Sequence, residues 1–91
     1  MTRYYRRSSH VEVARFTGDV DRVLAELDVS PADFYEVDPE DRDDDAPAAL
    51  RGVHGGWVNV YEGDYIVVEA DGSARRWAPS DFQAAFVEVP E

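Results

Sequence analysis

From Glu36 to Asp45 the chain reads EVDPEDRDDD, in which seven carboxylates face the single cation Arg42. Like charges at this density repel one another, and Pro39 and Pro47 interrupt regular hydrogen bonding. The run therefore predicts a solvated, flexible acidic loop over about residues 38–50, with the folded mass on either side of it. Only 91 residues are present, enough for one small domain spanning 1–91. Their 44% hydrophobic and 12% aromatic content supplies a single core.

The same composition excludes several classes of protein. With no Cys, neither a disulfide framework nor a thiolate metal site is available. Residues 1–10 carry Arg3, Arg6 and Arg7 and lack the apolar stretch of a signal peptide, which fits a reducing, intracellular setting. The longest aliphatic run, Ile66 to Val68, is far short of the ~20 apolar residues of a membrane span, so no membrane association is expected. Nine Lys+Arg against 20 Asp+Glu give a net charge of -11, which argues against nucleic acid as a direct ligand because phosphate binding draws on Lys and Arg.

Before the acidic run, Val11 to Phe16 is β-prone and a turn follows at Thr17-Gly18. Asp19 is placed to cap a helix in which Val20, Val23, Leu27 and Leu24 form one apolar stripe, predicting a helix over 20–27. Ser30-Pro31 predicts one more short helical turn through Tyr35. After the run, strands are predicted near 57–61, 65–70 and 74–78. Turns at Glu62-Gly63-Asp64 and at Asp71-Gly72, the strongest hairpin signal in the chain, join them into an antiparallel meander. Ser80 and Gln83 are spaced as a capping box, and although Phe86 to Val89 suits either a helical continuation or a last strand, a short helical turn and then an edge strand is expected. The expected fold is α+β: one antiparallel sheet of about four or five strands with one main helix packed on it.

Two segments of this chain resemble a group of small phage and prophage proteins. The first is Tyr4-Tyr5-Arg6-Arg7, Val11-Glu12-Val13 and Phe16-Thr17-Gly18-Asp19; the second is Gly63-Asp64-Tyr65-Ile66-Val67, Asp71-Gly72, and Pro79 with Phe82. Ser8, Ser9 and His10 depart from the group's usual apolar residues or Pro, Arg75-Arg76-Trp77 replaces a more aromatic run, and the acidic loop has no counterpart. The resemblance implies a phage or prophage origin, a small α+β fold, and a place of action in the cytoplasm of a bacterial host. It implies no catalytic residues.

The residues themselves offer little to a catalyst. The only imidazoles, His10 and His54, sit in no nucleophile motif, and His54 between Gly52 and Gly56 reads as a solvated loop residue. Asp41, Asp43 and Asp45 match positions 1, 3 and 5 of a calcium loop, but Ala46 replaces the turn Gly and Gly52 the bidentate Glu. No metal site is expected. Gly52 to Gly56 lacks the spacing and the Lys of a phosphate cradle, so no cofactor is expected either. The carboxylate pairs Glu62/Asp64 and Glu69/Asp71 flank turns, where Asp and Gly serve the backbone.

Binding remains the stronger reading. Strand alternation sets Trp57 and Tyr61 opposite Val58 and Val60. If the Val face, with Ile66 and Val68, packs on the helix, then Trp57, Tyr61, Tyr65 and Trp77 form an exposed aromatic patch beside Arg75 or Arg76; if not, these rings are core. The candidate contact residues are thus Asp38, Glu40, Asp41, Asp43, Asp44, Asp45, Trp57, Tyr61, Tyr65 and Trp77. The leading expectation is a non-enzymatic accessory protein of phage or prophage that modulates a host protein with a basic surface. The alternatives are a structural or assembly protein that self-associates, as a homodimer or with another phage protein, and a nucleic-acid mimic.

Overall fold

The computed structural model describes residues 3–6, 10–52 and 54–88. The chain runs β1 (Arg3–Arg6), β2 (His10–Arg15), α1 (Val20–Glu26), β3 (Phe34–Glu36), β4 (Ala48–Arg51), β5 (Trp57–Val60), β6 (Tyr65–Val68), β7 (Ala74–Trp77), α2 (Pro79–Ala85) and β8 (Val87–Glu88). It forms two antiparallel sheets, a larger one in the order β7-β6-β2-β1-β8 and a smaller one in the order β3-β4-β5.

The expected α+β class holds, while the single sheet and single helix are corrected to two sheets and two helices. Strand β2 shows why. Val11 and Val13 point to one side and Ala14 to the other, and all three are buried, so this strand needs cover on both faces. On one side Ala14 and Ile66 join Phe16, the α1 stripe of Val20, Val23 and Leu27, and the inner face of the small sheet, Phe34, Ala48, Leu50 and Val60. On the other, Val11, Val13 and Val67 pack against Phe82 of α2 and Phe86 at its C-cap. The layers are α2, the large sheet, and then α1 beside the small sheet.

Local chemistry sets most element ends. Asp19 caps α1, its side chain accepting from the Arg22 N–H at 3.2 Å. Helix α2 begins with Pro79 in its first turn behind Ala78, which has no side-chain cap bond; the expected Ser80 cap is replaced because proline's fixed φ already suits that position. The Asp71-Gly72 hairpin forms as predicted and joins β6 to β7 with Tyr65 opposite Trp77. Gly72 takes φ +88°, and the Ser73 hydroxyl and N–H both donate to Asp71 Oδ1 at 2.6 and 2.9 Å.

Three expectations fail for non-local reasons. Residues 48–50 are not loop but most of β4, the central strand of the small sheet, where Ala48, Ala49 and Leu50 are all buried. Tyr35 is not in a helical turn: turn geometry ends at Asp33, and Phe34–Glu36 pair with β4. The meander breaks between β5 and β6, because Glu62-Gly63-Asp64 carries the chain from one sheet to the other. Gly63, at φ +96°, donates its N–H to the Phe16 carbonyl at 2.7 Å, and Phe16 N–H donates to the Asp64 carbonyl at 2.8 Å, which delivers β6 to β2 instead of β5.

Asp64 is the charged residue buried among the described residues, 3% exposed. Its Oδ2 accepts from the Tyr61 N–H at 2.8 Å and from Arg76 Nε at 2.7 Å, tying the end of β5 to β7. Removing one partner strands the other in a desolvated place. We expect Asp64→Ala to cost about 3 kcal/mol and Arg76→Leu about 2 kcal/mol, with the double variant cheaper than the sum by at least about 1 kcal/mol. Urea unfolding of the four proteins checks this, and additive costs would refute the coupling.

The turn at Asp71 yields a pH prediction. The Ser73 hydroxyl first, then its N–H, holds the Asp71 carboxyl below its ordinary value of 3.8. A lowered native pKa favours folding above that ordinary value, and the contribution is lost as the pH falls from there through the lowered native pKa. Ser73→Ala should move the Asp71 carboxyl titration, followed by NMR, upward toward 3.8.

Candidate functional site

The predicted aromatic patch does not form as one surface. Tyr65 and Trp77 lie on the α2 side of the large sheet, where Tyr65 stacks on Phe82 with ring centroids 3.9 Å apart and Trp77 meets Phe86 edge-on at 5.0 Å. Both belong to the second core. Tyr61 follows β5 half-buried, its ring 5.8 Å from the Arg76 guanidinium. Trp57 alone of the four is exposed, at 47%.

A different partner stands beside it. In the small sheet Tyr35, Ala49 and Asn59 lie directly across from one another, and Arg51 lies across from Trp57, so these five residues share the face turned away from the core. Strands β3 and β5 are two strand spacings apart, about 10 Å. The small Ala49 side chain on the strand between them leaves room for the Tyr35 and Trp57 rings to meet over it, edge-on, with centroids 5.1 Å apart. Ala49 is buried, although it lies on the outer face, and Tyr35 stays 44% exposed. The Arg51 guanidinium lies 5.0 Å from the Trp57 ring centre and pairs with Asp33 at 3.4 Å. Tyr35 and Arg51 were missed from the sequence because β4, which aligns them with Trp57, was read as loop.

The acidic run borders this face as two hydrogen-bonded turns. Asp41 N–H donates to the Asp38 carbonyl at 2.9 Å, and Ala46 N–H to the Asp43 carbonyl at 3.0 Å. Arg42 turns inward and donates from Nε to the Val37 carbonyl at 3.0 Å, while the Asn59 amide reaches the Asp43 carbonyl at 3.5 Å. Asp38, Glu40, Asp41, Asp43, Asp44 and Asp45 are all exposed, and Ala46 anchors the second turn by burial. The structure thus places the predicted carboxylates on the same small sheet as Trp57, at its Asn59–Val60 end and not at the Trp57 end, and separates both from Tyr65 and Trp77.

His54 is exposed between Gly52 and Gly56. Among the described residues no group of three or more His, Asp or Glu is arranged to hold a metal ion, and no helix is long and apolar enough to cross a membrane. A hollow of about 560 Å³ lies between the 28–33 segment and the β6–β7 turn, edged by Asp28, Asp33 and Arg51, with Leu50 and Ala74 at its base. Compared with known proteins, the chain matches no family model, no curated protein and no solved structure.

The second acidic turn has a measurable cost. Asp44 and Asp45 sit at φ +53° and +59°, the two central positions of a turn with both residues left-handed, which glycine occupies without strain. Asp45→Gly should raise stability by about 0.5–1 kcal/mol, and Asp45→Ala should lower it, as read from urea midpoints.

Proposed function

We propose that the chain is a non-enzymatic binding protein that docks on a basic segment of a partner protein, using the outer face of the small sheet and the acidic turns beside it. The observation that carries this reading is the Tyr35–Trp57 pair, two large rings held at the surface of the small sheet, whose other end carries the exposed acidic turns. Tyr, Trp and Arg dominate the energetics of protein interfaces, and an aromatic face attracts a guanidinium or ammonium. Arg51 over Trp57 is an internal example of that attraction. Carboxylates at the other end of the same sheet supply the matching charge, and a net charge of -11 draws a basic partner in from a distance.

Within this proposal the chain is an accessory protein of phage or prophage type and its partner a bacterial host protein, in keeping with the resemblance of its opening and closing segments. The test is capture of partners from bacterial lysate by the whole protein, by Trp57→Ala, and by a variant with Asp43, Asp44 and Asp45 changed to Asn. A basic protein retained by the wild type should bind Trp57→Ala roughly thirtyfold more weakly, the effect of a hot spot of about 2 kcal/mol. The acidic-turn variant should lose mainly association rate and salt sensitivity. Capture of no basic protein, or equal capture by Trp57→Ala, overturns the proposal.

A further inference from the structure

Both sheets end in strands paired on one side only, and these edges differ in chemistry. Strand β7 reads Ala-Arg-Arg-Trp and carries two charges on its edge, the usual protection against pairing with another chain. Strand β5 reads Trp-Val-Asn-Val and carries none. Both of its first two side chains are exposed, Trp57 on the outer face and Val58, at 39%, on the inner.

The hydrogen bonds tell which β5 groups point outward. Gly52 N–H donates to the Gly56 carbonyl at 2.7 Å, so that pair is bonded across the β4–β5 hairpin. Bonded and non-bonded pairs alternate along an antiparallel ladder. With Arg51 opposite Trp57, Leu50 opposite Val58 and Ala49 opposite Asn59, the Leu50·Val58 pair is bonded and the two flanking pairs are not. Arg51 N–H agrees, because it turns to the other side and donates to the Asp33 carbonyl at 2.8 Å. The backbone N–H and C=O groups of Trp57 and Asn59 therefore face away from β4, at the open edge.

We infer that this edge pairs with β5 of a second copy, antiparallel about a twofold axis at Val58, joining the two small sheets into one of six strands. In that register Trp57 lies opposite Asn59 of the second copy and Asn59 opposite its Trp57. Each is a bonded pair, and together they use the four outward N–H and four outward C=O groups in four reciprocal N–H···O=C bonds on the two strands' facing edges. The two Val58 side chains meet at the axis in a non-bonded pair, where side chains approach most closely, and cover each other. The register keeps both inner faces on the same side, so no apolar residue is turned to water.

Charge selects a second copy as the occupant. Two β7 edges would set arginine against arginine, whereas two β5 edges oppose no charge at all. Antiparallel pairing also sends the Asn59 end of one copy, where Asp43 is held, toward the Trp57 end of the other, where Arg51 sits. The acidic turn of each copy then faces a cation of its neighbour, at two symmetric places. The inference does not depend on a basic partner, and it leaves Tyr35 and Trp57 on the outer face, doubled.

Sedimentation equilibrium of the whole chain across roughly a hundredfold range of concentration reads the result through mass action. The mass should rise from 10.3 kDa toward twice that value. Asn59→Pro removes an N–H that only the second copy uses and should raise the dimer dissociation constant at least tenfold, while Asn59→Ala, which keeps the N–H, should not. Val58→Lys places two cations at the axis and should leave a monomer, which keeps the test open if the proline variant does not fold. Amide exchange should slow at Trp57 and Asn59 on dimerisation. A monomer throughout the concentration range, or a dimer indifferent to both Asn59→Pro and Val58→Lys, overturns the inference.

Discussion

The carboxylate of Asp64 is the point at which two separately built halves become one molecule. Its Oδ2 holds the Tyr61 N–H, where β5 ends, and the Arg76 guanidinium, which rises from the inner face of the large sheet. A charge buried this deeply is tolerated only with its partners in place, and both are supplied by elements that would otherwise be free to separate. The two backbone bonds between Phe16 and the 63–64 turn add a second fastening at the same spot. With that junction in place, Phe34, Leu50 and Val60 are delivered onto Phe16 and Ile66, and the shared core closes.

This arrangement explains why so small a chain supports three layers. The large sheet is covered on one side by a seven-residue helix and its C-cap, whose Phe82 and Phe86 stack on each other, Phe82 also on Tyr65, while Phe86 meets Trp77 edge-on. Aromatic rings cover area economically, and one turn of spacing puts both on one face. The other side is shared by α1 and the small sheet, neither of which is wide enough alone. The small sheet's inner face is thereby committed to the core, and its outer face is left to solvent.

How much of this was legible follows from the range of each interaction. Strand β2, helix α1 and the β6–β7 hairpin are set by neighbours a few residues away, through an Asp cap, a stripe at helical spacing and an Asp-Gly turn, and each stands where its local pattern put it. Strand β4 is different. Ala48, Ala49 and Leu50 follow an acidic run and a proline, are weak strand formers apart from their setting, and become a strand because β3 and β5 flank them. Missing β4 hid the site, since Tyr35 and Arg51 meet Trp57 only across it. The carboxylates were legible as a charged surface segment, and the ring pair that shares their sheet was not.

The charge pattern has a further logic once the fold is known. Nine of the 20 acidic residues fall between Asp28 and Asp45, with Arg42 the one cation among them, and Arg42 spends its Nε on the Val37 carbonyl. The repulsion this creates is concentrated at one end of the small sheet, where two short turns hold the carboxylates outward. Copies of a chain with net charge -11 repel at long range, and within a Debye length of about 8 Å only local complementarity decides where surfaces meet. The uncharged β5 edge, with an acidic turn at one end and Arg51 at the other, satisfies that condition by being antisymmetric along its length: reversed on itself, it matches each charge with its opposite. A surface with this property is most compatible with its own twofold copy, and a face that stays acidic beyond the seam is left for a partner of the other sign.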